Sequence, residues 1–238
     1  MIERYRELPK NIPQNIVTLR IKALCNAYDD NVGVDVFTQT IYGEITAVFG
    51  GMDGSYSLLA FQDADFEELD SYFSFLGATV FCFSDTADNL HPKFTEKSEL
   101  YELTDEVERV TGDGHGKISD VYEMLKQGKD GDIEMPPFDL WYTDFCVRFN
   151  HGAAEYSNIL GAVAVAGFMT DFATLITGVA TDKNNRENGL GSKALGLLLS
   201  NIKKKHPKSR VFAATRNAGG FYIKNGFAEV GKVAVCRY

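Results

Sequence analysis

The chain has 238 residues, of which 45% are hydrophobic and 24% charged, and this composition describes a globular chain of one or two domains. Its first residues lack the apolar stretch of a signal peptide, and later apolar segments are interrupted by Gly, Thr and Asp. We therefore expect a cytoplasmic protein without a membrane span. The widely spaced cysteines form no CxxC pair, which favours reduced thiols over a disulfide framework.

The net charge of −9 is distributed unevenly along the chain. Residues 178–238 hold 12 Lys and Arg side chains against three acidic ones, which leaves 12 basic and 30 acidic side chains in residues 1–177. The acidic balance of the larger part argues against nucleic-acid binding by the chain as a whole. The basic end suits a small polyanion, although Lys203, Lys204 and Lys205 are better explained as cations at a helix C-terminus.

The first part of the chain alternates helices and strands. Periodicity predicts a helix over 13–28, strands over 34–40, 45–50 and 55–61, a helix over 65–76 and a strand over 79–83. The glycine-rich residues 50–54 predict a hairpin turn. Residues 85–139 are rich in Gly and Pro and contain one predicted helix, over 118–126. We place the boundary between two globular parts in this segment.

The second part begins at Phe138 and continues with strand-like runs over 153–157, 159–166 and 173–181. Their short connections predict an antiparallel meander. A polar loop over 182–192 leads into a helix over 193–204, whose apolar residues recur at helical spacing and which ends before Pro207. A strand over 210–215, a short helix over 219–225 and a closing strand over 229–236 complete the prediction.

The polar loop carries the clearest chemical signal in the sequence. Gly189 and Gly191 allow the backbone to approach a ligand, and the N-terminus of the following helix presents unpaired amide donors, an arrangement that binds phosphate. Arg186 adds a positive charge. No carboxylate side chain occurs between Glu187 and Glu229, so a pyrophosphate would meet little repulsion. The alternative is a glycine-containing turn that only packs the helix on the sheet.

Two other phosphate-binding motifs do not fit this loop. Residues 189–194 satisfy the loose dinucleotide pattern GxGxxG/A, but a long polar loop separates them from the preceding strand, and the strand 211–215 ends without the required acid. A Walker A loop needs four residues between Gly and Gly-Lys, and the sequence contains no such string. The sequence therefore argues against both a Rossmann site and a P-loop.

Three segments together resemble the signature of the GNAT superfamily of acyl-CoA N-acyltransferases. They are Val179-Ala180-Thr181, the pattern Arg186-x-x-Gly189-x-Gly191, and, after a helix and a strand, Phe221-Tyr222-Ile223-Lys224-Asn225-Gly226-Phe227. The resemblance implies an α/β (α+β) fold, with a mixed, mostly antiparallel, splayed sheet flanked by helices in the C-terminal domain and a smaller α/β N-terminal domain. It also implies acetyl-CoA as the cosubstrate.

The resemblance assigns these segments to parts of the cosubstrate. The strand residues would pair with pantetheine and the loop amides would hold the pyrophosphate. The implied CoA-binding residues are Val179, Ala180, Thr181, Arg186, Glu187, Asn188, Gly189, Leu190, Gly191, Ser192 and Asn217. Two departures from the family pattern occur. Thr215 stands where the family often has an asparagine, and Asn184 and Asn185 stand where a proline and an aromatic residue are common.

The resemblance also implies Tyr222 as the catalytic residue, because the family's tyrosine in this string commonly protonates the departing thiolate. A positioned phenol can supply that proton as the tetrahedral intermediate collapses. Holding the amine against the thioester would supply much of the remaining rate enhancement. The alternative is that Tyr222 is a core aromatic residue. No cysteine has the setting of a nucleophile, so we expect direct transfer in a ternary complex.

Residues 138–152 are similar to a segment of two-part bacterial GNAT proteins whose N-terminal half is a reduced GNAT-like unit. This resemblance predicts an N-terminal α/β domain over 1–110, without its own R-x-x-G-x-G loop, a connecting segment over 111–137, and an acetyl-CoA-binding domain over 138–238. Several side chains of this segment could line an acceptor pocket, while aromatic packing and a satisfied ion pair explain them equally well. They are Trp141, Tyr142, Asp144, Arg148 and His151.

The predicted function is an N-acetyltransferase that moves an acetyl group from acetyl-CoA to a primary amine on a small molecule or peptide. The acidic balance of residues 1–177 makes a cationic amine the first hypothesis. Spacing does not rank Asp144, Glu155, His151 and Asp171 as general base. The histidines show no metal-ligand spacing, so no metal is expected, and neither nucleic acid nor membrane is an expected partner. The alternative function is a catalytically silent CoA-binding or regulatory module.

Overall fold

The computed structural model describes residues 1–5, 8–28, 33–105, 114–128, 135–159 and 161–238. The chain divides into two compact units, one comprising residues 1–101, 214–219 and 229–238, the other 102–213 and 220–228. This division differs from the predicted domains 1–110, 111–137 and 138–238, because the last strand of the chain pairs inside the first unit. Residues 106–113 and 129–134, which fall at the predicted junctions, lie outside the described residues.

The first unit is built on a mixed set of strands. They are β1 (Ile2–Tyr5), β2 (Asp35–Ile41), β3 (Glu44–Met52), β4 (Ser55–Ala60), β5 (Thr79–Phe83), β6 (Phe94–Leu103) and β11 (Phe227–Arg237), in the order β1-β2-β3-β4-β5-β11-β6. β4 and β5 are parallel, whereas β1–β2, β2–β3, β3–β4 and β5–β11 are antiparallel. The helices of this unit are α1 (Ile16–Ala27), α2 (Phe66–Leu76) and α3 (Ser84–Ala87).

Alternating side chains place the two longer helices of the first unit on opposite faces of its strands. On one face, the fully buried Phe49 of β3 packs against Phe73 of α2, with 5.0 Å between ring centroids. On the other face, the neighbouring Gly50 lies beneath Ile21 of α1, where a Cβ would approach the Ile21 Cγ2 methyl to 2.8 Å. A side chain at position 50 would therefore displace α1.

The second unit contains the antiparallel meander and the helices around it. Its strands β7 (Glu155–Ile159), β8 (Ala162–Met169), β9 (Ala173–Thr181) and β10 (Arg210–Thr215) lie in the order β10-β9-β8-β7. β7, β8 and β9 are antiparallel, whereas β10 is parallel to β9. The helices of this unit are α4 (Ile118–Gly128), α5 (Phe138–Asn150), α6 (Leu190–Lys205) and α7 (Gly219–Lys224).

Helices cover both faces of these strands as well. Tyr156 of β7 packs its ring against Phe145 and Phe149 of α5, with 6.0 and 5.4 Å between centroids. The next residue, Ser157, points to the opposite face, where its hydroxyl donates to the Ala194 carbonyl oxygen of α6 at 2.7 Å. A mixed, mostly antiparallel sheet flanked by helices confirms the predicted fold class.

Most predicted elements occur close to their predicted positions. The helices over 13–28, 65–76, 118–126, 193–204 and 219–225 correspond to α1, α2, α4, α6 and α7, and the meander is confirmed. The sequence does not predict β1, which pairs along β2. Leu160, which the prediction includes in a strand, lies outside the described residues. Within the described parts, no helix is both long enough and apolar enough to cross a membrane.

The prediction is wrong in two places. Gly50 and Gly51 belong to β3, and the hairpin turn is formed by Asp53 and Gly54 alone, with φ angles of 50° and 75°. Residues 94–103 form β6 rather than a loop, because the carboxylates that are unusual in strands find partners; Glu102 contacts Arg210 at 2.6 Å. The sequence assigns no element to the segment after Pro137, which forms the helix α5, whose aromatic residues pack on β7.

Candidate active site

β9 and β10 pair over only part of their length. Ala173–Ile176 pair with Arg210–Ala213, and among the described residues of this unit their pairing does not continue past Ile176. β9 itself continues to Thr181 and stays paired with β8. The last residues of β9, 177–181, therefore have a backbone edge on the β10 side at which an extended ligand can form strand-like hydrogen bonds.

Polar groups hold the loop that follows β9. The Asp182 amide donates to the Gly161 carbonyl oxygen at 2.9 Å, and the Asp182 carboxylate accepts from the Asn184 amide at 2.8 Å. Glu187 and Gly189 both have left-handed backbone conformations, with φ angles of 68° and 72°. Glycine adopts this conformation without steric cost, whereas a residue with a Cβ does so rarely. The two positions turn the backbone sharply into α6.

α6 begins without a side-chain cap. Gly189 occupies the cap position, and the first turn of the helix contains no acidic side chain. The Lys193 amide donates to the Gly189 carbonyl oxygen at 3.1 Å, so the amides of residues 190–192 precede the first intrahelical bond. These donors and the positive end of the helix dipole favour an anion at this terminus.

Gly191 brings the first turn of α6 into close contact with two other elements. A Cβ at this position would lie 3.1 Å from the Thr181 hydroxyl oxygen at the end of β9 and 3.5 Å from the ring of Phe221 in α7. The edge of β9, the uncapped helix terminus and the aromatic residues of α7 therefore meet at one place. A bulkier residue at position 191 would push them apart.

The N-terminus of α2 provides a contrast within the same chain. α2 also connects two parallel strands, but the carboxylate of its cap residue Asp65 accepts from the Glu68 amide at 3.0 Å, and Glu67 and Glu68 lie in the first turn. The Gln39 side-chain Nε2 donates to the Asp65 carbonyl oxygen at 2.9 Å and to the Glu68 carboxylate at 2.8 Å. At α2, carboxylates of the chain itself therefore lie at the helix N-terminus. The N-terminus of α6 has no such carboxylates.

Tyr222 is a buried residue of α7. Its ring packs between those of Phe221 and Phe227, each with a centroid distance of 5.3 Å. Burial raises the pKa of the Tyr222 phenol above its ordinary value, so the hydroxyl is protonated at neutral pH. A protonated phenol meets the requirement of a general acid, and the aromatic contacts meet that of a core residue, so both interpretations from the sequence fit this placement.

The structure brings most of the predicted CoA-binding residues together. All of them except Asn217 lie on the continuous stretch from the end of β9 to the first turn of α6, in the second unit. Arg186, Glu187 and Asn188 are exposed, whereas Ala180 is buried. Asn217 is an exposed residue between β10 and α7, and it belongs to the first unit.

The four candidate general bases are all engaged by neighbours. Glu155, which is 1% exposed, contacts Lys205 Nζ at 2.6 Å and His115 Nε2 at 3.0 Å. Asp144 is paired with Arg148, and His151 Nδ1 lies 2.8 Å from the Val147 carbonyl oxygen.

The fourth candidate, Asp171, is fully exposed and contacts His206 at 3.3 Å. It precedes β9, so nearly the whole strand, roughly 25 Å, separates it from Thr181. None of the four has the geometry that would single it out as the base.

Two of the predicted acceptor-pocket residues, Trp141 and Arg148, have the packing and ion-pair contacts that the alternative predicts, whereas Tyr142 and His151 are exposed. Trp141 stacks on Phe145 with parallel rings 5.0 Å apart. Arg148 is buried against Asp144, as the ion-pair alternative predicts. The strand pairing is irregular at Gly167 and Thr177, which the sequence prediction does not include, although an isolated glycine within a strand pattern is a recognised sign of a bulge. In the parts of the chain that are described, no cluster of three or more His, Cys, Asp or Glu side chains could hold a metal ion.

Comparison with known proteins identifies the fold. No protein-family model matches the chain. No curated protein matches it either. Among solved structures, a GCN5-related N-acetyltransferase from Sphaerobacter thermophilus has a TM-score of 0.57 at 11% identity, covering 100% of this chain and 95% of the other. A GNAT-family acetyltransferase from Colwellia psychrerythraea has a TM-score of 0.53 at 11% identity, covering 100% and 99%.

A tandem GNAT protein from the clavulanic acid biosynthesis pathway is similar to the chain over the same extent. Its TM-score is 0.53 at 10% identity, with 99% of this chain and 97% of the other covered. The likeness to these acetyltransferases therefore includes both halves of the sequence. At this level of identity the likeness concerns the fold alone, and it establishes that the chain has the GNAT fold.

Proposed function

We propose that this protein is an N-acetyltransferase that binds acetyl-CoA at the N-terminus of α6 and transfers the acetyl group to a primary amine. The observation that carries the proposal is the uncapped, acid-free terminus of α6, which directly follows the incompletely paired strand β9. The structural neighbours that are GNAT acetyltransferases support the same reaction class.

In this proposal the two features bind different parts of one ligand. The amides of residues 190–192 would donate to the pyrophosphate, with Arg186 as a nearby cation. The pantetheine arm would extend along Val179, Ala180 and Thr181, since its amides can pair with a strand edge. Gly191 lies between these two subsites, where the first turn of α6 approaches Thr181 and Phe221 closely.

The proposed chemistry is direct acyl transfer. The amine nitrogen attacks the thioester carbonyl carbon, and a tetrahedral intermediate forms. When it collapses, the C–S bond breaks, the amide forms, and Tyr222 gives its phenolic proton to the departing thiolate. The amine loses a proton to water in the site, because the carboxylates Glu155 and Asp144 are already engaged in ion pairs. The acceptor class proposed first is a cationic amine in the cytoplasm.

Calorimetric titration with acetyl-CoA tests the binding site. Wild type, Gly191→Glu and Gly191→Gln form a matched set, because the two variants add similar bulk but only one adds a charge. We expect the wild type to bind, the Gln variant to bind at least tenfold more weakly, and the Glu variant to lose binding altogether. Absence of binding to the wild type would remove the proposal.

A catalytically silent CoA-binding module is the second candidate. Two observations favour it: the burial of Tyr222 between aromatic rings, and the engagement of all four candidate bases. A screen of cationic and neutral primary amines with acetyl-CoA separates the candidates. Amine-dependent release of CoA supports the enzyme, whereas tight binding without turnover of any amine supports the silent module.

A further inference from the structure

A pair of bulges interrupts the ladder between β8 and β9. Val165 pairs with Gly178 and Ala166 with Ile176, which leaves Thr177 as an extra residue on β9. Phe168 then pairs with Leu175, which leaves Gly167 as an extra residue on β8. The two bulges compensate each other, so they change the direction of the strands without changing the register on either side.

The two bulged residues face each other closely. A Cβ on Gly167 would lie 2.7 Å from both the Cγ2 and the Oγ1 of Thr177. Position 167 therefore requires glycine, because the Thr177 side chain occupies the space. The bulges also coincide with the end of the β9–β10 pairing, since Ile176 is the last residue of β9 paired with β10 in the described part of the unit.

Arg148 of α5 forms a direct hydrogen bond with the bulged residue Gly167. Its Nη1 donates to the Gly167 carbonyl oxygen, and its Nε and Nη2 donate to the two carboxylate oxygens of Asp144, the Nε bond measuring 3.0 Å. Its guanidinium carbon lies 5.0 Å from the centre of the Phe168 ring. The residue is 8% exposed, so these contacts replace most of the hydration of its side chain.

We propose that Arg148, held by Asp144, is a positioning residue that fixes the Gly167–Thr177 bulge pair and thereby aims residues 177–181 of β9 at the acyl donor. This inference rests on the proposed acetyl-CoA site and adds the element that shapes it. A guanidinium suits the task because its rigid fork binds a carboxylate with two donors and leaves a third for the bulged carbonyl. A lysine would provide the charge without this geometry.

Arg210 offers a matched control in the same unit. Its Nε and Nη2 donate to Glu102 at 2.6 and 2.7 Å, and its guanidinium lies 4.9 Å from the Phe212 ring. The chemistry resembles that of Arg148, but these two donors bind a carboxylate, and neither binds the carbonyl of a bulged strand residue. Arg210→Met therefore removes a similar ion pair without touching the bulge.

The test compares Arg148→Met, Arg148→Lys and Arg210→Met by hydrogen exchange, thermal unfolding and CoA titration. We expect Arg148→Met to speed exchange of the 177–181 amides that bond to β8 at least tenfold, with little change at 155–159. CoA affinity should fall at least tenfold. On a logarithmic scale, the loss of CoA affinity in Arg148→Lys should be more than half of the loss in Arg148→Met. Arg210→Met should leave the exchange rates at 177–181 and the CoA affinity within twofold of wild type.

Chemical rescue separates positioning from general stability. Ethylguanidinium at millimolar concentration should restore slow exchange at 177–181 and CoA affinity in Arg148→Ala, which leaves room for it, and not in Arg148→Met. Uniformly faster exchange across the second unit, or unchanged exchange at 177–181, would overturn the proposal. If the wild type does not bind CoA, the proposed function fails, and the local exchange pattern alone decides whether Arg148 sets the β9 edge.

Discussion

Gly191 lies so close to Thr181 that a Cβ on residue 191 would stand 3.1 Å from the Thr181 hydroxyl oxygen. This contact opposes the ordinary preference of a helix for alanine over glycine, which is about 0.5–1 kcal/mol. We therefore expect Gly191→Ala to leave stability nearly unchanged in the wild-type background. In a Thr181→Ala background the contact is gone, and the same change should stabilise the protein by about 0.5 kcal/mol or more.

Urea unfolding of the two single variants and the double variant measures this coupling. Equal effects of Gly191→Ala in both backgrounds would show that the end of β9 does not touch the first turn of α6. Gly220→Ala in α7 is a suitable control, because nothing lies within 4 Å of the position that its Cβ would occupy. Its effect should be the same in both backgrounds.

Ser192→Glu should change stability and CoA binding in opposite directions. A carboxylate in the first turn of α6 favours the helix dipole, so the free energy of unfolding should rise by about 0.3–1 kcal/mol. The same charge would meet the pyrophosphate, and CoA affinity should fall at least tenfold. Thermal unfolding and calorimetric titration of the same preparation provide both values.

Two controls distinguish this effect from side-chain bulk and from a general change in protein charge. Ser192→Gln has the bulk without the charge and should weaken binding less than Ser192→Glu does. Ser74→Glu places the charge on the exposed end of α2 and should leave CoA affinity unchanged. Equal CoA affinities for Ser192→Glu and Ser192→Gln would show that no anion binds at this terminus.

The loop and helix geometry that the sequence predicts at the candidate site is local in the chain. The glycines 189 and 191, the absence of acids in the following turn and the apolar spacing of α6 lie within about 20 residues, and each has a direct structural consequence. Local rules therefore suffice to predict a candidate phosphate site.

The parts that sequence reasoning missed depend on distant partners. The sequence of β6 carries many charges, which are unusual in a strand. One of them, Glu102, has its ion-pair partner in Arg210, 108 residues away in the chain. The bulge pair requires Gly167 and Thr177 to face each other across two strands, and it needs Arg148 from a third element. Asp144 and Arg148 are visible as an i,i+4 pair, but the carbonyl that they hold in place is not visible from their spacing.

Tyr222→Phe should lower turnover without lowering CoA affinity. The substitution keeps the ring between Phe221 and Phe227 and removes only the hydroxyl that would protonate the thiolate. Loss of a general acid reduces kcat by roughly 10²-fold or more. Because burial raises the Tyr222 pKa, the wild-type phenol stays protonated up to at least its ordinary value of about 10. Tyr222 therefore does not titrate near neutral pH. Any transition of the pH–rate profile near neutral pH should have the same midpoint in Tyr222→Phe as in wild type.

The free energy of unfolding should also depend on the titration of the Tyr222 phenol, and it should fall as the pH rises. A phenol whose folded-state pKa is raised stabilises the fold fully below about pH 10 and loses this contribution as the pH rises further. Wild type should thus lose more stability than Tyr222→Phe between pH 9 and 11. Turnover of Tyr222→Phe equal to that of wild type would assign Tyr222 to the aromatic core alone.

Glu155→Gln should destabilise the protein while leaving turnover intact. The Glu155 carboxylate is buried and accepts from Lys205 Nζ and the Tyr156 amide, with His115 Nε2 at 3.0 Å. A neutral amide turns one acceptor into a donor that faces Lys205, which should cost about 1–3 kcal/mol. Adding Lys205→Met removes the opposed charge and should recover part of that loss in a double-mutant cycle.

Turnover of Glu155→Gln, measured well below its unfolding temperature, should stay within twofold of wild type, since the carboxylate already has its partners. A fall in kcat of more than 100-fold in Glu155→Gln, with the neutral limb of the pH–rate profile abolished, would instead make Glu155 the general base.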